Sequence, residues 1–131
     1  MDVAANLRTV RVFLIEDSPY VRDLLLDFLH APGEVEIVGY ADTEDDAVAA
    51  IIAQPVDAVI VDLKLREGSG MAVIQRLRKA SLNPPPTLIV FSNHPLPEIK
   101  QRAMKLGADY FFDKSGDYDS VRATLQALRT K

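Results

Sequence analysis

Four short runs of this sequence end in side chains that can do chemistry together. Glu16 and Asp17 follow an apolar run that closes at Ile15, and Asp62 follows one that closes at Val61. Ser92 and Asn93 come after Phe91, and Lys114 stands two residues beyond Phe112. Taken singly, each has a plain reading: an acid pair after a strand is a common loop or capping feature, and a lone Asp or Lys is usually solvated. Together they make three carboxylates, a hydroxyl and an amine. Crowded carboxylates repel, so at least one has a raised pKa unless a cation sits among them. A hard divalent metal such as Mg²⁺ relieves the repulsion, because it takes oxygen ligands and keeps waters and phosphate oxygens beside one or two carboxylates. Asp17 and Asp62 suit direct ligation, and Glu16 suits holding a water. A carboxylate can also act as a nucleophile toward a phosphoryl group, a transfer that depends mainly on positioning and charge neutralisation. In that chemistry Asp62 is the acceptor, Lys114 and the metal neutralise the arriving charge, and Ser92 donates to a phosphoryl oxygen only once one is present.

These residues meet only if the runs before them are neighbouring strands. Runs 10–15, 35–40, 56–61, 87–91 and 110–112 are short, rich in β-branched or aromatic residues and mostly apolar on both faces, as strands covered on both sides require. Helical spacing fills the gaps. Val21, Leu24, Leu25, Phe28 and Leu29 share one face, with Ser18 as N-cap, Pro19 in the first turn and Pro32-Gly33 as the stop. A second helix begins at Thr43 and runs to Ala53, with Glu44, Asp45 and Asp46 where the helix dipole favours acids. Further helices are predicted over 71–80, over 97–106 with Gly107 as the stop, and over 118–129. Gly68 and Gly70 supply a turn and the start of the third helix. Five strands alternating with five helices predict a doubly wound α/β fold with a parallel sheet and helices on both faces. Such sheets bind ligands at the carboxyl ends of their strands.

Composition narrows the class of protein. The chain of 131 residues suits a single domain. No stretch approaches the roughly 20 apolar residues of a membrane span. Asp2 stands where a signal peptide would carry bases, so the expected compartment is the cytoplasm. There is no cysteine, which excludes disulfides, thiolate metal sites and cysteine nucleophiles. With 15 basic and 19 acidic residues the net charge is -4, which disfavours direct binding to nucleic acid or anionic lipid.

Leu14-Ile15-Glu16-Asp17, Val59-Ile60-Val61-Asp62-Leu63 with Gly68-Ser69-Gly70, Ile89-Val90-Phe91-Ser92, and Gly107-Ala108-Asp109-Tyr110-Phe111-Phe112-Asp113-Lys114 resemble, as an ordered set, the response-regulator receiver family of two-component signalling. The resemblance covers roughly residues 9 to 130. It implies a flavodoxin-like sheet of order 2-1-3-4-5 and Mg²⁺-dependent phosphoryl transfer from a histidine kinase or histidine phosphotransferase, with slow self-hydrolysis at most. By position, Asp62 resembles the phosphoacceptor, Glu16 and Asp17 the metal-binding acids, Ser92 the hydroxyl switch and Lys114 the phosphate-contacting lysine. In the family the residue two past the acceptor gives the metal a backbone carbonyl, here that of Lys64. The expected output surface is the fourth helix, fifth strand and fifth helix, with Ile99, Met104, Tyr110 and Tyr118 as candidate contacts to a downstream protein, an output domain or a second copy in a homodimer.

The sequence departs from the family in places. Phe111 replaces a frequent tyrosine, keeping the packing without the hydroxyl, and Ser115 follows Lys114 where proline is frequent, so the residue that favours a cis peptide there is gone. Lys64 and His94 occupy the variable positions that flank the phosphoryl group in the family and adjust its lifetime. Arg76, Arg78 and Lys79 read as a solvated basic face, and His30 as a helix-end residue without a role. Two other readings stand beside the receiver. A haloacid-dehalogenase-type phosphatase wants an acid two residues past its aspartate, where this chain has Lys64; a phosphorylation-independent pseudo-receiver usually lacks the acceptor, the acids or the lysine, and here all are present.

Overall fold

The computed structural model describes residues 7–93 and 96–130. The elements come in strict alternation: β1 (Val10–Ile15), α1 (Pro19–Leu29), β2 (Val35–Ala41), α2 (Glu44–Ala53), β3 (Ala58–Val61), α3 (Gly70–Lys79), β4 (Thr87–Ser92), α4 (Pro97–Leu106), β5 (Tyr110–Asp113) and α5 (Tyr118–Ala127), then a 3-10 turn over Leu128–Thr130. All four strand pairings are parallel and the order is β2-β1-β3-β4-β5. This is the doubly wound flavodoxin-like arrangement expected from the sequence, with ends shifted by a residue or two. The third strand is shorter than its apolar run, although Val56 is buried ahead of it.

Local chemistry explains the helix starts. Ser18 Oγ accepts from the Val21 N–H at 3.3 Å, Thr43 Oγ1 from Asp46 at 3.3 Å, and Ser69 Oγ from Ala72 at 3.1 Å, each satisfying an orphan donor of a first turn. The helix dipole is complemented at both ends, by the acids opening α2 and by the bases closing α3. His30 is the C-cap of α1, and its Nδ1 accepts from the Ile37 N–H at 3.2 Å.

The sheet divides the interior in two. Phe13, Ile15, Val59, Val61, Leu88 and Val90 pack toward α2, α3 and α4, while Val12, Leu14, Ile60, Ile89 and Phe91 pack toward α1 and α5. Every residue of β3 is buried, which only a central strand covered on both faces allows. Phe111 packs against the first core, and Tyr118 against the second, edge-on to both Phe28 and Phe91.

One expectation fails at the lower end of the sheet. Arg78 is not part of a solvated face: its side chain is only 26% exposed, and it donates to the carbonyls of Gly107 and Pro86 at 2.9 Å and to Asp109 at 2.8 Å. Pro86 at the end of the α3–β4 connection and Gly107 and Asp109 in the α4–β5 connection together bring three acceptors to one guanidinium. At the same end the Arg8 N–H donates to the Arg129 carbonyl at 2.9 Å, and the Arg129 guanidinium returns a bond to the Arg8 carbonyl. Among the described residues, no helix is long and apolar enough to cross a membrane.

Candidate functional site

The sheet continues one residue past its strands at the carboxyl end, and that extension positions the polar cluster. The Asp62 N–H donates to the Ile15 carbonyl at 2.9 Å and the Glu16 N–H to the Ala41 carbonyl at 3.0 Å. Both carboxylates are therefore set by ladder bonds and do not depend on a free loop. Ser92 closes β4 opposite Asp113, and the Lys114 N–H donates to the Ser92 carbonyl at 3.3 Å. Behind the Asp62 side chain, Gly70 packs so close to the Asp62 carbonyl that a Cβ would collide with it. The first turn of α3 can lie there only because the residue has no side chain.

Asp62 is 7% exposed and both its oxygens are engaged. Oδ1 accepts from Ser92 Oγ at 2.9 Å and more weakly from the Lys64 N–H at 3.4 Å; Oδ2 accepts from Lys114 Nζ at 2.6 Å. The same ammonium lies 2.5 Å from Glu16 Oε1, and Glu16 Oε2 accepts from the Ser18 N–H at 3.1 Å. Asp17 is half-buried and completes a group in which one oxygen from each of Glu16, Asp17 and Asp62 lies within 4.8 Å of the others.

The electrostatics follow from burial. Loss of water pushes the Glu16 carboxyl above its ordinary value, with the Asp62 charge adding to the effect; the bonds from Lys114 and Ser18 oppose it. For Lys114, burial works against the charge, but its hydrogen bonds to Asp62 and Glu16 outweigh that and hold its pKa above the ordinary lysine value. One buried ammonium thus serves two buried carboxylates, and a third acid stands at the open side. The donor set is all oxygen, negative in excess and compact, which fits a hard divalent cation of the Mg²⁺ type.

The five residues singled out by type and spacing, Glu16, Asp17, Asp62, Ser92 and Lys114, are therefore brought together. Lys64 is exposed and reaches the cluster through its backbone. His94 lies outside the described residues. Of the candidate output contacts, Met104 and Tyr110 are each 39% exposed, whereas Ile99 and Tyr118 pack against the two cores. The Lys114–Ser115 peptide, whose geometry the sequence leaves open, is trans. Glu44 and the Asp42–Arg66 pair were not legible as neighbours of the site. Glu44 shows itself in the sequence only as a first-turn acid, because its partner Ser69 lies 25 residues on.

The model of the response regulator receiver domain matches residues 12–126. This chain belongs to the response-regulator receiver family. Among relatives of the receiver, a protein-glutamate methylesterase/protein-glutamine glutaminase of Geobacter sulfurreducens is 32% identical over 108 residues, covering 82% of this chain and 28% of that protein. A namesake from Syntrophus aciditrophicus is 28% identical over 127 residues, covering 92% of this chain and 36% of that protein. The chain spans about a third of the length of the curated relatives it matches. The signal receiver domain of the response regulator NarL from Mycobacterium tuberculosis superposes with a TM-score of 0.84 at 27% identity, covering 95% of this chain and 99% of that one. The response regulator domain of Thermotoga maritima CheB, at 23% identity and a TM-score of 0.79 over 93% of this chain and 95% of that one, shares the fold. The chain is thus a receiver domain of a two-component response regulator, with an acidic cluster at the carboxyl end of its sheet.

Proposed function

We propose that Asp62 accepts a phosphoryl group from a histidine kinase or histidine phosphotransferase in a Mg²⁺-dependent reaction, and that the resulting charge switches the domain for signalling through protein contacts. The observation that carries this reading is the state of Asp62: a buried carboxylate held between a hydroxyl on one oxygen and an ammonium on the other, with two more acids beside it. An Asp62 oxygen attacks phosphorus. The P–O bond forms as the P–N bond of the donor phosphohistidine breaks, and the electron pair stays on the imidazole nitrogen, which takes a proton from solvent.

Glu16, Asp17, Asp62 and the Lys64 carbonyl are the groups that would hold Mg²⁺, which when bound supplies positive charge to the phosphoryl oxygens. Lys114 keeps its proton and moves its bond from the carboxylate to the phosphoryl group. Ser92 exchanges Asp62 Oδ1 for a phosphoryl oxygen and draws β4 with it, biasing an existing equilibrium between two conformations. Phe111 packs without a hydroxyl to redirect, so the shift is transmitted by shape. The readout is then the face made by α4, β5 and α5, toward a downstream protein, an output domain or a second copy. On this reading the domain is a cytoplasmic phosphoacceptor with slow self-hydrolysis, not an enzyme with a turning-over substrate, and it makes no direct contact with nucleic acid.

The test is intact mass after incubation with Mg²⁺ and acetyl phosphate. Wild type should gain one phosphoryl group in the presence of Mg²⁺ only, and Asp62→Ala should gain none. Absence of an adduct in a folded, metal-binding wild type would overturn the reading in favour of a phosphorylation-independent binding module.

A further inference from the structure

At Ser18 the chain of β1 turns away into α1 on one face of the sheet. The segments leaving the strands on either side, 42–44 after β2 and 63–69 after β3, meet on the other face. Backbone bonds join them: the Arg66 N–H donates to the Asp42 carbonyl and the Glu44 N–H to the Glu67 carbonyl, both at 3.0 Å. Side chains add two further ties of different kinds. Arg66 forks onto Asp42 at 3.0 and 3.2 Å in an open setting. Glu44 is only 20% exposed; its Oε1 accepts from the Ser69 N–H at 3.1 Å and its Oε2 from Arg76 at 3.0 Å. Gly68, at a φ of +79°, lies directly on the Glu44 side chain, where any Cβ would collide with it.

Ser69 is the N-cap of α3 and forms a bridge with Lys64, whose N–H points to Asp62 Oδ1. The Gly70 N–H closes the loop onto the Leu63 carbonyl at 2.9 Å. A carboxylate from another part of the chain therefore grips the far end of the loop whose near end carries the acceptor. We propose that Glu44 is a positioning residue for the phosphoacceptor: by holding Ser69 and Arg76 it fixes the 63–69 loop, and through it the Lys64 backbone beside Asp62. This rests on the phosphoacceptor reading of Asp62. Groups one step removed from a metal or reacting centre, but orienting those that touch it, have effects of this kind.

The experiment measures the initial rate of phosphorylation by acetyl phosphate and, separately, Mg²⁺ affinity by calorimetry. Its variants are Glu44→Ala, Glu44→Asp, Glu44→Gln and Asp45→Ala. Glu44→Asp keeps an acid in the first turn of α2 but is one methylene too short for Ser69, so it decides the matter if Glu44→Ala does not fold. Both are expected to lower the rate about 10-fold and to weaken Mg²⁺ binding in the same direction. Glu44→Gln keeps an acceptor for Ser69 but sets an amide N–H against Arg76, so it should lose clearly less than Glu44→Ala in both readouts. Asp45→Ala removes an 89% exposed acid that also bonds Arg76, and it should change neither readout. Wild-type behaviour of Glu44→Asp, or an equal loss in Asp45→Ala or Glu44→Gln, would overturn the proposal. If wild type takes up no phosphoryl group, the failure lies with the acceptor reading, and the order of Mg²⁺ affinities still judges Glu44.

Discussion

Both ends of the sheet carry carboxylates paired with bases, yet the pairs behave differently. At the upper end, Glu16, Asp62 and Lys114 have side chains no more than 9% exposed, and one cation is shared by two anions. At the lower end, Arg8–Asp57, Arg78–Asp109 and Arg129–Glu34 are one-to-one and partly open to water. Several of those groups also bond backbone: Asp57 Oδ2 accepts from the Arg11 N–H and Asp109 Oδ2 from the Leu88 N–H, both at 2.8 Å. The lower pairs tie chain segments together. The upper cluster joins the ends of β1 and β3 through one ammonium that follows β5, and that of β4 through Ser92, and it keeps unbalanced negative charge out of water, as the proposed binding of a cation and a phosphoryl group requires.

Lys114→Met breaks the comparison most directly. It leaves two buried carboxylates facing each other, and metal-free stability should fall by about 3 kcal/mol. Urea unfolding without Mg²⁺ measures the loss, and saturating Mg²⁺ should recover part of it; equal stability of variant and wild type without metal would erase the contrast between the ends. Arg78→Ala comes next. It takes the Arg78 donors from two carbonyls and from Asp109, which keeps its bond from the Leu88 N–H, so about 2 kcal/mol should be lost, while the rate of Asp62 phosphorylation stays that of wild type. A fall in that rate would mean that the two ends are coupled. The smallest effect is expected at Arg8, 43% exposed in its pair with Asp57. Arg8→Ala should lower the unfolding free energy by less than about 1 kcal/mol, and a larger loss would mean that the bond from Arg8 Nε to the Leu128 carbonyl at 3.1 Å matters more than the exposed ion pair.

The parts of the molecule legible in the sequence are those governed by short-range rules. The alternation of apolar runs gave the element order, Ser18 and Thr43 marked helix starts, and the rule that ligands collect at the carboxyl ends of parallel strands brought Glu16, Asp17, Asp62, Ser92 and Lys114 together. What stayed hidden depends on which loops become neighbours in space. Glu44 and Ser69 meet because β1 turns to the opposite face, and nothing in either local sequence records that. Arg78 looks like its neighbours Arg76 and Lys79 at helical spacing. Only the path of the chain through Pro86 and Gly107 shows that it is clamped.

The bond between Arg8 and Arg129 brings both ends of the described chain to the same pole, opposite Asp62. The four residues of β3 put about 13 Å of buried strand between that pole and Asp62. The domain therefore has the geometry of a cassette, with entry and exit side by side, and it can be set into a larger chain without threading anything past the reacting end. A covalently attached neighbour starts out remote from the chemistry, and must either fold back over the domain or read the switch through the sheet and helices that lie between.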